Sequence, residues 1–265
     1  LAIGEGAKKD MEYSLRQMGS NMFRIVTSRP SAKGGGLQRV KFFRLTWEDY
    51  EALDNLRMRS SVLESVAPVV AGSITATYEG KSWSTNVEGV TTNYEKMRNY
   101  TPTSGRFFNA AEDQNQDLVC LIGQTVYNNL FEKNENPIGK TIKINMRSFR
   151  VIGLLPTKGS NWGKDEDDTI LIPINTAMKK LLGLKTLSFL FAQAKNEAVL
   201  DKTIDQVNTL LRQQHQLQPG VDFVDRGRYW NHEHHAGLGH RAYPRNWCSK
   251  GDWCPQARYL AAIFD

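Results

Sequence analysis

The densest set of chemistry-bearing side chains stands near the C-terminus, where His232-Glu233-His234-His235 precede His240, Cys248 and Cys254. Imidazoles and thiolates are zinc ligands, but zinc sites repeat them at short, fixed spacings. This set matches no such arrangement. A second candidate, Ile138-Gly139-Lys140-Thr141, has the ending of a phosphate-binding loop. That motif needs a further glycine with four residues between it and the Gly-Lys pair. Asn134 stands there instead, Pro137 sits inside the would-be loop, and a strand is expected where a helix should begin. A turn into a strand is the better reading, so the chain carries no ATP site. Third, Asp165-Glu166-Asp167-Asp168 offers four carboxylates, the ligands of hard cations. Consecutive side chains splay apart, so a solvated acidic loop ahead of a strand at Thr169 is expected. Before Arg226, His215 is the single histidine, and no Ser–His–Asp or Cys–His set can be assembled there. A carboxylate pair acting as acid and base stays open, because any fold offers candidates. At residue level the reading is: catalytic none, cofactor-binding none, metal none.

The elements that would position any such site are legible from periodicity. Residues 5–19 read as an amphipathic helix with Met11, Leu15 and Met18 on one face and Gly19 as its stop. A strand follows at 22–27, and residues 30–36, with Gly34-Gly35-Gly36, have the composition of a surface loop. Thr46 can cap a helix through Leu53 and Leu56, with Asp49 three residues on and Leu45 and Tyr50 at staple positions. A strand at 65–70 comes next. Short β runs at 73–78, 85–90, 117–122, 141–145 and 149–155 are then separated by Gly, Asn and Pro, with one helix at 124–131. Strand and helix return at 187–192 and 197–214, the latter with Leu200, Ile204, Val207, Leu210 and Leu211 on one stripe. Pro219-Gly220 turns the chain into 221–224. The fold class is therefore α+β: two strand–helix–strand units form one body, a β-rich subdomain is inserted between them, and the C-terminal tail is irregular or disordered.

Composition narrows the function. The 265 residues are 40% hydrophobic, and no run of eighteen apolar residues occurs. The N-terminus has neither an initiator Met nor a signal pattern, so the chain reads as starting inside something longer. Net charge is +6, but from Arg226 onward six Lys/Arg stand against three Asp/Glu, so half the surplus sits in the tail. The scattered remainder argues against nucleic acid as a partner. Cys120, in the run Leu118-Val119-Cys120-Leu121-Ile122, reads as a small buried hydrophobe and does not locate the protein.

A family likeness rests on Gly4-Glu5-Gly6-Ala7-Lys8-Lys9, Arg16-Gln17-Met18-Gly19-Ser20-Asn21, Leu45-Thr46-Trp47-Glu48-Asp49, Val66-Ala67-Pro68 and Val87-Glu88-Gly89-Val90. It continues in Gly105-Arg106-Phe107-Phe108, Leu121-Ile122-Gly123, Asn136-Pro137-Ile138-Gly139-Lys140, Phe149-Arg150-Val151-Ile152-Gly153 and Asp167-Asp168-Thr169-Ile170-Leu171-Ile172-Pro173. In this order across residues 1–224 the chain resembles the MacB-like ABC-transporter permeases of the FtsX-like permease group. The resemblance implies an extracytoplasmic domain on an inner-membrane permease, facing the periplasm. It implies the end of a first transmembrane helix and an emerging helix at 1–21, a porter-like body at 22–72 and 166–225, and a sabre-like β-rich insert at 73–165. It also implies an ABC ATPase as a separate domain or subunit, a periplasmic adaptor (membrane fusion) protein, a homodimer in the intact permease, and export of a macrolide, peptide or lipid. No catalysis of its own and no cofactor are expected. In Gly105-Arg106-Phe107-Phe108, a turn followed by a strand entering the core is favoured over an exposed Arg with aromatics for partner contact.

Residues 226–265 hold four of the five His and three of the six Trp, without helical or strand period. Back-translated and read one base later, the stretch from Arg226 permits V-G-G-I-G-I-M-N-I and then a string similar to the second membrane helix and coupling segment of the same permeases. A frameshift near Asp225, with a deletion, is the expectation. Rival readings are a lipoprotein-releasing permease, a free extracytoplasmic binding module for peptide or sugar, and a carboxylate hydrolase, which would need a deep acidic cleft.

Overall fold

The computed structural model describes residues 21–27, 43–161, 164–217 and 222–224. The helix expected at 5–19, the loop at 30–36 and the tail from 226 lie outside them. The chain divides into residues 1–226 and 227–265, and everything described belongs to the first part.

Strand β1 (Met22–Ile25) and helix α1 (Trp47–Arg59) precede two long strands, β2 (Leu63–Tyr78) and β3 (Lys81–Val90), which form a hairpin. A one-turn helix α2 (Tyr94–Met97), strand β4 (Ser104–Gly105), helix α3 (Ala110–Gln114), strand β5 (Val119–Ile122) and helix α4 (Gln124–Leu130) follow. Next come the hairpin β6 (Thr141–Ile144) and β7 (Arg147–Leu154), the ribbon β8 (Ser160–Asn161) and β9 (Lys164–Asp165), and β10 (Thr169–Pro173). Helix α5 (Ile174–Thr176) runs into a π-turn (Ala177–Leu181), and β11 (Phe189–Ala194) and α6 (Leu200–His215) close the described fold. It is a mixed α/β domain.

Nine strands share one sheet in the order β1-β11-β2-β3-β10-β5-β7-β4, with β6 bridging β2 and β7. That bridge closes a circuit, β2-β3-β10-β5-β7-β6 and back to β2, so half of the sheet is a small barrel. Closure removes the unpaired strand edges that an open β insert would expose. The other half, β1-β11-β2, stays open and is backed by α1 and α6.

Strand β2 belongs to both halves, and its alternation shows how. Val66 and Val70 point to the helices, Ala67 and Val69 to the opposite face, and Ile74, Ala76 and Tyr78 into the barrel core. The sequence suggested two strands, 65–70 and 73–78. The structure has one. Ala71-Gly72-Ser73 looks like a break because it lacks bulk, but Gly72 pairs in register with Val87, and the Leu182 side chain packs where a Gly72 side chain would stand. Gly89, opposite Val70, is needed for a similar reason: a Cβ there would lie 2.2 Å from that of Ala177 in the π-turn.

The two long helices follow their sequence signals. The Thr46 amide donates to Asp49 Oδ2 at 2.8 Å at the start of α1. On α6, Ile204, Val207 and Leu211 are buried, each contributing about 1.5–3 kcal/mol. Leu200 and Leu210 are only half covered. Two polar residues complete that buried face: Thr203 donates to Val199 O at 2.8 Å, and Asn208 Oδ1 accepts from the Phe223 amide at 2.9 Å. The latter holds the 222–224 segment, where Val224 bridges antiparallel to Ile25.

Candidate functional site

The phosphate-loop look-alike is a turn, as read. Gly139 has φ +84, its amide donates to Val151 O at 2.8 Å, and the chain enters β6 at once. Lys140 pairs with Glu135 at 3.5 Å. Phe107 and Phe108 are buried with ring centroids 4.4 Å apart, as the core reading of that motif required. No strand follows them; Gly105, at φ +79, ends β4, and Arg106 forks onto Glu112 at 2.6 and 2.8 Å. Glu112 in turn caps α3 reciprocally with Asn109. The arginine beside it holds its carboxyl below the usual range.

The acidic run is not the solvated loop expected from sequence. Asp165 accepts from Thr125 Oγ1 at 2.7 Å, and Glu166 pairs with Arg98 at 2.9 Å. Asp167, only 7% exposed, accepts from the amides of Lys158 (2.7 Å) and Gly159 (3.1 Å), and Asp168 from Trp83 Nε1 at 2.9 Å. Four consecutive carboxylates thus fasten four separate parts of the fold. They splay, and each reaches a protein donor. Among the described residues no group of His, Cys, Asp or Glu could hold a metal ion. His232, His234, His235, His240, Cys248 and Cys254 lie outside them.

Glu166 leads to a cluster that sequence reasoning missed. Arg98, just after α2, is 8% exposed, with its guanidinium carbon 4.9 Å from the Phe191 ring centroid and 5.8 Å from that of Tyr100. Lys158 donates to the Arg98 carbonyl, and its ammonium lies 4.1 Å from the Tyr100 centroid. Burial, then the neighbouring Arg98 charge, push the lysine down to about 8. Tyr94 donates to Glu88 at 2.9 Å, and burial drives that phenol well up. On the same face, Arg24 of β1 lies 3.7 Å over Phe189 of β11, which meets Phe191 edge-on at 5.3 Å. Cations over aromatic faces are worth more when desolvated, and this layer binds the segments flanking β4 and β8 to the open half of the sheet. No local sequence signal reveals it, because its members come from positions 24 to 191.

His215 contacts Asp49 Oδ1 at 2.9 Å, and the Thr46 hydroxyl donates to Oδ2 of the same carboxylate at 3.3 Å. The acid stands in the middle. A nucleophile–base–acid relay needs the imidazole there, so this trio fastens helices. A groove between α1 and α6 is lined by Leu56, Lys202, Asp205, Gln206, Thr209, Leu210 and Gln213. It is open to solvent, and Asp205 is the one carboxylate in its lining. No described helix is long and apolar enough to cross a membrane.

The family model for the MacB-like periplasmic core domain matches residues 1–210. This chain belongs to that family. Among relatives of the MacB-like domain, the macrolide export ATP-binding/permease protein MacB of Chlorobium phaeobacteroides is 36% identical over 222 residues, covering 84% of this chain and 33% of the relative. The protein of the same name from Bdellovibrio bacteriovorus is 36% identical over 219 residues, 82% of this chain and 33% of its own. The chain thus spans about a third of the relatives' length. Among solved structures, the periplasmic region of MacB from Actinobacillus actinomycetemcomitans superposes with a TM-score of 0.60 at 24% identity, covering 77% of this chain and 88% of that one. The extracellular domain of the noncanonic ABC-type transporter YknZ from Gram-positive bacteria gives 0.61 at 19% identity, over 77% and 98%. These two share the fold of the MacB-like domain.

Proposed function

We propose that this MacB-like domain is the periplasm-facing part of an inner-membrane ABC-transporter permease. It passes motion from the membrane to a partner and catalyses nothing itself. One observation carries the reading. The chain enters β1 beside Ala194, whose amide donates to Asn21 O, and the 222–224 segment runs antiparallel to β1, back toward that same end. Strand β2 starts there too, since Leu63 pairs with Ala194, and then runs unbroken into the barrel. Both chain directions therefore meet at one end, with the barrel at the other. A continuous strand of this length, about 50 Å if fully extended, carries displacement as a rod does.

On this reading residues 22–72 and 166–225 form the porter-like body, which lends β10 to the barrel, 73–165 the sabre-like part, and 1–21 the exit from a first membrane helix. ATP is hydrolysed on a separate nucleotide-binding domain or subunit. The permease works as a homodimer, with a periplasmic adaptor as partner. A macrolide, peptide or lipid is the cargo, and residues 226–265 are the product of a shifted frame.

A chimera tests it. Residues 21–224 replace the corresponding domain of the Chlorobium phaeobacteroides MacB relative, and macrolide resistance is measured in cells alongside ATPase activity in liposomes. Restored resistance is expected. A chimera that inserts and hydrolyses ATP, yet neither binds adaptor nor confers resistance, would sink the proposal.

A further inference from the structure

Strands β2 and β3 pass from the open half of the sheet into the barrel without a break, and at the crossing each carries a glycine. Gly72 pairs with Val87 and Gly89 with Val70, so the two glycines are neighbours on one face. On that face Val70 belongs to the core under the helices and Val87 to the core of the barrel. A glycine inside a strand marks a close approach and leaves the backbone freer to bend. One short segment lies on this pair, Ile174 to Leu182, which is α5 and its π-turn. Leu182 Cδ2 stands 3.0 Å from where a Gly72 Cβ would be, and the Ala177 Cβ 2.2 Å from that of Gly89.

The segment faces both cores. Ile174 and Met178 pack with the helix-side core, Ala177 and Leu181 with the barrel core, and Leu182 with both. Its winding makes this possible. Eight residues of α-helix would carry Leu182 about 80° round from Ile174. The π-turn, closed by the Leu182 amide on Ala177 O at 2.8 Å, turns less per residue and takes back part of that drift. Such turns are rare and concentrate at functional sites. The segment is also pinned from the barrel side. Asn175 donates its amide and its Nδ2 to the two Asp113 oxygens at 2.9 and 3.1 Å, Thr176 Oγ1 donates to Asp117 O at 3.0 Å, and Lys180 Nζ to Gln116 O at 2.7 Å. All four bonds end on residues 113–117, the lead into β5.

We propose that residues 174–182 form a wedge that fixes the angle between the barrel and the open half, so that the two move as one body. The sheet alone would flex at its glycine pair, and a wedge bonded to one half and packed into both resists that hinge. The inference rests on the proposed function only for its purpose: a domain that passes motion along β2 must not bend half-way.

The test uses the full chain with Cys248 and Cys254 replaced by serine and spin labels at Asn55→Cys in α1 and Lys143→Cys in β6, read by double electron–electron resonance. Wild type should give one narrow distance distribution. Leu182→Ala empties the notch over Gly72 and should broaden it. Asp113→Ala cuts two of the pins without opening a core and should broaden it too, which keeps the inference testable if Leu182→Ala fails to fold. Ile204→Ala opens a comparable cavity in the helix-side core, beside Thr203 at the Val62 end. It should lower the melting temperature and leave the distribution narrow. A broad wild-type distribution, equal narrowness in Leu182→Ala and Asp113→Ala, or equal broadening in Ile204→Ala would overturn the wedge and leave the transporter reading standing. Placing Leu182→Ala in the chimera separates the two ideas. Lost resistance with ATP hydrolysis retained is expected; loosened halves with full resistance would keep the wedge and refute the passage of motion.

Discussion

His215, in the last turn of α6, holds the fully buried carboxylate of Asp49 at 2.9 Å in the first turn of α1, while its ring packs against Phe43 at 4.9 Å. One carboxylate thus ends one helix and starts another. Asp49→Ala would strip the acceptor from both the Thr46 amide and the imidazole. A loss of about 2–3 kcal/mol is expected, from a missing cap plus an unpaired buried group. Urea denaturation measures it, and a change below about 0.5 kcal/mol, the range of an ordinary surface substitution, would show that the contact does not fasten the helices.

Lys158 supplies the pH dependence. Its folded value, near 8, lies below the 10.5 of an exposed lysine. The unfolded chain therefore binds more protons between these values, and stability should rise with pH across that window. Below about pH 8 both states are protonated and the gain is absent. Thermal melts of wild type and Lys158→Met from pH 7 to about 10 isolate the effect from other titrating groups, because only wild type should gain the extra stability. Parallel curves would refute it.

Gly89→Ala should cost about 1–3 kcal/mol by overpacking, because the new methyl would land 2.2 Å from the Ala177 Cβ. Ala177→Gly in the same chain should recover much of that loss. The double-mutant cycle would report a coupling near zero if the π-turn could move aside freely.

Cys120 lies wholly inside the barrel core, and burial drives its thiol up. With Cys248 and Cys254 replaced by serine, it should resist Ellman's reagent in the native protein and react within minutes in urea. Fast labelling without denaturant would mean that the barrel opens.

What could be read early was local. Thr46 and Asp49, the stripe on α6, the turn at Gly139 and the burial of Cys120, Phe107 and Phe108 all depend on neighbours a few residues away. The acidic run was misread because its partners are distant: Thr125 is 40 positions from Asp165, and Arg98 is 68 from Glu166. Asn145 was read as the last residue of a β run at 141–145, yet with φ +44 it opens the β6–β7 turn, and nothing in sequence shows that the methionine after it faces solvent.

The sequence by itself determined the family, the mixed α/β character and the absence of a phosphate loop at Gly139, since each is written in contiguous motifs or in period. Tertiary structure alone decided that β2 is one strand, that β6 closes six strands into a barrel, and that Arg98 meets Phe191 while Lys158 meets Tyr100. The reason is that strand pairing and ion pairing are set by where the chain returns in space. Periodicity reports only which face of each element is apolar.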